Sequence, residues 1–188
     1  MLTLCACGGA PEQSEMEQAL AEFTEALKVY DRDKMTGLLN EFPDNSKYVY
    51  YDDIFNDEGY MQMYRLLYGD LSYKVVSAEG NQLTVDVEMP NVQALYSNIL
   101  ALVLQMSLDD ATLQEKLGEN DENGSVLVRE MMLAYAKQGY DTEKMNATFT
   151  LSFEKKAGKT VLTCDDELRA FMTGNFFLSK SNTIENIK

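Results

Sequence analysis

Two segments of this 188-residue chain alternate apolar and polar residues with a period of two. Between positions 83 and 89, leucine, valine and methionine alternate with threonine, aspartate and glutamate. From 145 to 153 the same alternation places Phe149 and Phe153 on one face. Because successive side chains of a β-strand point to opposite faces, both segments predict strands with one buried face and one wetter face. Other elements of the chain must cover those apolar faces.

Each alternating segment has a second strand beside it in the sequence. Residues 71–78 predict a strand that Gly80 and Asn81 turn into the 83–89 segment. The segment "KKAGK" connects the 145–153 strand to a strand over 160–164. Pairs of strands joined by short glycine-containing turns are typical of antiparallel hairpins.

Spacings of three and four predict helices in the rest of the chain. The first begins at Ser14, with Glu17 in capping-box spacing, and has a continuous apolar stripe. Asp31 or Asp33 caps a shorter second helix. A third runs over about 57–68. The apolar positions of these three helices are Met16, Leu20, Phe23, Leu27 and Tyr30; Met35, Leu38 and Leu39; and Tyr60, Met63, Tyr64 and Leu67.

Helical sequence also lies between and after the hairpins. Residues 91–137 are predicted to be helical, and "LYSNILALVLQM" is apolar nearly all round, which is typical of a buried helix. A short last helix is capped by Asp165 or Asp166 and ends at Gly174.

The order of these elements predicts an α+β domain. We expect a curved antiparallel sheet of about four strands, packed against N-terminal helices, with a helical insertion at about 91–137 between the two hairpins. The domain occupies 14–174, residues 8–13 form a tether, and 175–188 form a C-terminal tail.

The N-terminal segment "LTLCACGG" contains two of the three cysteines. A Cys5–Cys7 disulfide would be strained, and a metal site lacks ligands because the chain has no histidine. Residues 4–7 resemble the lipobox of bacterial lipoproteins, in which a small residue precedes the lipidated cysteine. Cys7 fits that position, whereas the bulky Leu4 precedes Cys5. The alternative is the accidental apolar start of a cytosolic chain.

The lipobox resemblance implies a location for the protein. Residues 1–7 would be the end of a signal that begins before the first residue given, and a diacylglyceryl group on Cys7 would supply two acyl chains. The protein is then expected outside the cytoplasm, anchored to the bacterial cell membrane.

Three longer segments carry a family resemblance: "ALKVYDRDKMTGLL", "LSYKVVSAEGNQLTVDVEM" and "DELRAFMTGNFF". Together they resemble lipid-anchored proteins of unknown function from Gram-positive bacteria, which are related to the nuclear transport factor 2-like fold. That fold is a curved sheet wrapped around a helix to form a cone. We expect a non-enzymatic domain that binds a small apolar molecule or an envelope protein through this cone-shaped fold.

The net charge of −15 disfavours nucleic acid as a partner. Binding phosphates requires a basic patch, and the only lysine cluster is Lys155, Lys156 and Lys159 around a predicted turn.

Catalytic motifs are absent from the sequence. Without histidine there is no Ser-His or Cys-His pair, and no phosphate-binding or dinucleotide-binding glycine pattern occurs. Cys164 is interpreted as a small buried hydrophobe, the Asp-Asp pairs as helix caps, and no cofactor is expected. An enzyme of the isomerase or dehydratase kind is the alternative, with Asp86 as the candidate acid or base. We predict that Asp86 faces solvent.

Two further sets of residues are candidate sites. The segment "ENDENGSVLVRE" at 119–130 partly matches an EF-hand loop, although glutamate replaces the first aspartate, and it suggests at most a weak calcium module. The alternative is a turn at Asn123-Gly124 in which Ser125 caps the next helix. The many tyrosines and methionines serve either as core or as the lining of an apolar pocket. The calcium candidates are Glu119, Asp121, Asn123, Ser125 and Glu130, and the pocket candidates are Tyr50, Tyr51, Tyr64 and Phe149.

Overall fold

The computed structural model describes residues 10–41, 58–111, 113, 121–138 and 143–174, apart from the side chains of 60 and 121–125. The predicted signal, residues 42–57 and the predicted C-terminal tail lie outside these residues. The elements in chain order are α1 (Gln13–Lys28), α2 (Arg32–Gly37), α3 (Glu58–Tyr68), β1 (Ser72–Glu79), β2 (Gln82–Pro90), α4 (Val92–Asp109), α5 (Asp121–Lys137), β3 (Lys144–Lys156), β4 (Lys159–Leu162) and α6 (Asp166–Thr173).

The four strands form one antiparallel sheet in the order β1-β2-β3-β4. The register of β2 against β3 pairs Val85 with Phe149 and Asp86 with Thr148. Residues paired across two strands share a face, so this register collects the apolar members of both strands on one side. The predicted alternation and the predicted α+β fold are confirmed.

Helices cover the apolar face of the sheet, and Phe171 of α6 lies at the centre of that contact. Its ring lies 6.5 Å from that of Phe23 on α1 and 5.6 Å from that of Phe149 on β3, where the contact is edge-to-face. The Tyr68 hydroxyl donates a hydrogen bond of 3.2 Å to the Phe171 carbonyl oxygen. The first helix, the last helix and the sheet therefore share one core.

Backbone geometry at both tight turns agrees with the predicted hairpins. Gly80 has a φ of 59°, and Ala157 and Gly158 have φ values of 50° and 82°. The second turn therefore has two successive positive φ values, and the first has a positive φ only at the glycine in its first central position. Both patterns occur in the two-residue turns that match the twist of paired strands. The Asn81 side chain donates to the Phe153 carbonyl at 2.8 Å, which ties the first turn to β3.

Aspartate caps begin two of the helices as predicted. The Asp31 carboxylate accepts from the backbone N–H of Lys34, and the Asp165 carboxylate accepts from that of Leu168. The predicted start of α1 is wrong by one residue, because the helix begins at Gln13 and not at Ser14. Glu12 is the cap, and its backbone N–H donates to the Glu15 carboxylate at 2.8 Å, so the capping box lies two residues before the predicted one.

The predicted length of the second helix is also wrong. The helix ends at Gly37, and the following residues run alongside β4. The Leu162 N–H donates to the Leu38 carbonyl and the Asn40 N–H donates to the Leu162 carbonyl, each at 2.9 Å. These bonds pair the free edge of β4 at Leu162, and they take backbone groups that a longer helix would have used. Leu39 is buried there as an extension of the sheet.

The prediction that α4 is buried all round is wrong. Only Val92, Leu95, Ile99 and Val103 of this helix are buried. Leu104 and Leu108 are 55% and 81% exposed. An apolar sequence indicates that a helix needs covering, but the described part of the chain covers only one side of it.

Gly174 ends α6 in a position that no other residue fits without strain. Its φ is 60°, and a Cβ there would lie 2.7 Å from the Val92 Cγ2. Gly80 has nearly the same φ, 59°, but open space around the missing Cβ.

The glycine pair predicts two different losses of stability on substitution by alanine. We expect Gly80→Ala to lower the free energy of unfolding by about 1–2 kcal/mol, because only the left-handed backbone is strained. Gly174→Ala should lose about 1–3 kcal/mol more, because the new methyl group also overpacks against Val92. Urea unfolding of both variants measures the difference, and equal losses would contradict the steric argument.

Candidate functional site

Asp86 lies on the solvated face of the sheet, as predicted. Its side chain is exposed, and its carboxylate accepts a hydrogen bond of 2.7 Å from the Thr148 hydroxyl. Lys74 is its partner in the register of β1 against β2. A general acid or base that works near neutral pH needs a pKa shifted by burial or by neighbouring charges. This exposed carboxylate is not in the buried setting that the enzyme hypothesis requires.

The two pocket candidates within the described residues are part of the core. The Tyr64 ring stacks on that of Tyr30 at 5.0 Å and lies 5.7 Å from that of Tyr68. Phe149 is 4% exposed and contacts Phe171. These rings fill space against each other. Tyr50 and Tyr51 lie outside the described residues.

The calcium-loop interpretation of residues 119–130 is wrong where the structure describes them. Asp121 to Lys137 is continuous α-helix, whereas an EF-hand needs a loop that wraps its ligands around the ion. The alternative turn at Asn123-Gly124, with Ser125 as a cap, is wrong for the same reason. The described residues contain no group of three or more acidic or cysteine side chains able to hold a metal ion. Glu119 lies outside the described residues.

Cys164 is 6% exposed and lies just after β4. Burial raises the pKa of its thiol, so the thiolate needed for nucleophilic chemistry is disfavoured at neutral pH. Its backbone N–H donates to the Asn40 side chain at 2.9 Å. These contacts agree with the interpretation of Cys164 as a small buried hydrophobe.

A polar cleft that sequence reasoning missed lies between α1 and the β3–β4 hairpin. It has a volume of about 350 Å³, and Glu15, Glu22 and Lys159 are among the residues that line it. At its edge the Lys155 ammonium contacts the Glu15 carboxylate at 2.5 Å. The lysine cluster around the turn was the signal for this cleft, since Lys155 contacts Glu15 of the acidic first helix and Lys159 lines the cleft. The ion pair fastens the hairpin to α1.

The bond from Lys155 lowers the pKa of Glu15, and a second bond from the Glu12 N–H acts in the same direction. A carboxyl group whose pKa is lowered by folding stabilises the fold above its ordinary pKa, and this contribution disappears as the pH falls through the lowered value. The pair is partly exposed, so solvent screens it.

The ion pair predicts a change in acid stability. We expect the free energy of unfolding to fall less between pH 5 and pH 3 in Glu15→Gln than in the parent protein. The variant has no carboxylate to protonate at this position. Chemical unfolding across that pH range is the measurement. Glu22→Gln is the matched control, since Glu22 on the same helix bonds to Gln18 rather than to a lysine. Identical acid profiles for both variants would contradict the assignment.

Among the described residues, most of the exposed large hydrophobic side chains lie on the outward side of α4. We call it the α4 outer face, and its members are Ser97, Ala101, Leu104 and Leu108, with Leu102 and Met106 at its margins. The first four are spaced by four, three and four residues, so they share one side of the helix.

The α4 outer face lies opposite the side that packs on the protein. Leu104 follows the buried Leu95 by nine residues, and Leu108 follows the buried Ile99 by nine. Nine residues are about two and a half turns of α-helix, which reverses the direction of the side chain. The exposed leucines are therefore not the edge of a buried stripe. They form a second apolar side, which an ordinary surface helix lacks.

No charged residue occurs between Asn91 and Leu108, in a chain with a net charge of −15. The helix packs against α5, which in turn packs against α3, so α4 is the outermost member of this layer. Within the described residues, no helix has the length and hydropathy to span a membrane. The sequence contained the signal for this face, because an all-round apolar helix needs two covering partners.

Comparison of the chain with known family models, characterised proteins and solved structures gave no match.

Proposed function

We propose that this protein is a lipid-anchored component of the bacterial cell envelope that acts by binding a protein partner through the α4 outer face. The observation that carries the proposal is the position of Leu104 and Leu108 on the side of α4 that faces away from the core. Contiguous exposed apolar surface on a folded domain marks a site of interaction. A helix with two apolar sides supports the same conclusion, since exposing the second apolar side to water costs free energy.

The other functions in view have less support. An isomerase or dehydratase needs a buried acid or base, and Asp86 is exposed. A site for a small apolar molecule needs an open cavity lined by aromatic rings, and Tyr64 and Phe149 pack into the core. The cleft beside Glu15 is open, but the charged side chains of Glu15, Glu22 and Lys159 are among those that line it.

The membrane anchor and the fold relationship belong to the same proposal. The residues 4–7 that resemble a lipobox support lipidation of Cys7. An antiparallel sheet with helices on one face supports a relationship to the nuclear transport factor 2-like fold. The pair α4–α5 is then an addition to the basic cone, and the proposed binding face belongs to this addition.

The anchor predicts which cysteine holds the protein on the membrane. In the complete precursor, Cys7→Ser should release the protein into the medium, because the acylated thioether cannot form. Cys5→Ser should leave it in the membrane fraction. Cell fractionation followed by immunoblotting measures both, and equal retention of the two variants would contradict the assignment to Cys7.

The binding face predicts position-specific photo-cross-linking in the native envelope. A benzoylphenylalanine at position 104 should give discrete protein adducts, since Leu104 lies at the centre of the proposed face. The matched control carries the same group at Val76, which is 54% exposed on β1 against 55% for Leu104. Equal adducts at both positions, or none at position 104, would count against a binding function for α4.

A further inference from the structure

We infer that the partner of the α4 outer face is a second copy of this chain, bound through an antiparallel α4–α4 contact about a twofold axis. This inference rests on the proposed function and names its partner. Three properties of the helix support it: the order of small and large residues, the position of its charges, and the extent of the apolar surface.

The α4 outer face is complementary in size to itself. Its small residues, Ser97 and Ala101, occupy the first half, and its large residues, Leu104 and Leu108, occupy the second. When two such helices pack antiparallel, a twofold axis near position 102 brings each Leu108 onto the partner's Ser97 and each Leu104 onto the partner's Ala101. Large side chains then lie over small ones along the whole contact, which is the packing that interfaces of twofold dimers need.

The charges of α4 favour the antiparallel direction. Its only acid is Asp109, at the C-terminal end, and Asp110 follows. A parallel pair would bring these four carboxylates together. An antiparallel pair separates them and places each Asp109 beside the first half of the partner helix, which has no charged residue and carries the positive end of the helix dipole.

The apolar surface is small for a stable dimer, and the expected contact is weak. Specific interfaces bury ~800 Å² on each partner, and one face of an 18-residue helix supplies only part of that area. Anchoring two copies in the same membrane would raise their effective concentration and compensate for a weak contact. The domain also repels its copy, so added salt should strengthen the dimer by screening this repulsion.

The competing occupant is the C-terminal segment 175–188 of the same chain. Gly174, the last residue described before this segment, lies close to Val92 at the start of α4. If the segment covered the α4 outer face, the intact protein would stay monomeric and deletion of 175–188 would cause association. That result would overturn the inference.

Sedimentation velocity of the full chain tests the association. Cys5 and Cys7 are both changed to serine so that no disulfide or lipid contributes. We expect dimers to appear over about 1–300 µM, the range for a weak interface, and the dimer fraction to rise between 0.1 and 1 M salt. Leu104→Gln and Leu108→Gln should each weaken dimerisation at least tenfold without changing the circular dichroism spectrum. Val76→Gln is the control of matched exposure and should have no effect.

Disulfide cross-linking tests the geometry. In the same background, a mixture of Ser97→Cys and Leu108→Cys proteins should cross-link under mild oxidation, because the antiparallel pair brings these positions together. Ser97→Cys alone should not, since its two copies would lie about 16 Å apart, or eleven residues of helix rise. The parent background controls for Cys164, which is buried.

The outcomes separate this inference from the proposed function. A chain that is monomeric at every concentration, or Ser97→Cys that cross-links to itself, overturns the antiparallel dimer. If the photo-cross-linker at position 104 still forms adducts with another protein in the envelope, the proposed binding function stands without the dimer. If it forms adducts of twice the chain mass, and the cysteine mixture cross-links as expected, both are supported.

Discussion

The contact that the rest of this fold depends on is made by Phe171. Its ring lies between those of Phe23 on α1 and Phe149 on β3. Its carbonyl oxygen accepts a hydrogen bond from the hydroxyl of Tyr68 at the end of α3. Each of these partners belongs to a different part of the chain, and Phe171 itself is fully buried. The last described helix therefore closes a core that the first helix and the sheet leave open. The end of α6 also lies close to the start of α4, because Gly174 lies beside Val92.

The parts of the fold that the sequence predicted are those in which local pattern and tertiary environment agree. The alternation in β2 and β3 identifies both strands and their buried faces, because one register pairs the apolar residues of β2 with those of β3. Aspartate caps and the glycine turns were predictable for the same reason, since their chemistry is local. The end of α2 was not predictable. It depends on Leu39 pairing with Leu162, a contact between residues far apart in sequence.

The candidate site shows the opposite case. The sequence of α4 indicates a helix apolar on every side, and burial was the natural prediction. The pattern indicates that both apolar sides of α4 need a packing partner, but it does not indicate whether that partner belongs to the same chain. Asp86 was predicted correctly because alternation assigns it to the face opposite Val85. The error at Asn123 and Gly124 has a local cause: these residues favour turns, but the surrounding sequence continues as helix.

Charge explains why an uncharged helix is the surface best suited to an interface in this protein. A domain with 31 acidic and 16 basic residues repels other acidic surfaces over most of its exterior. The pairs Lys155–Glu15, Lys144–Glu88 and Arg169–Asp166 already engage several of the available cations. Attraction between surfaces must then come from apolar contact, and α4 concentrates such contact on a stretch free of carboxylates from Asn91 to Leu108. An acidic exterior favours solubility and disfavours contact between acidic surfaces, so the composition of the chain is compatible with an interface restricted to the proposed face of α4.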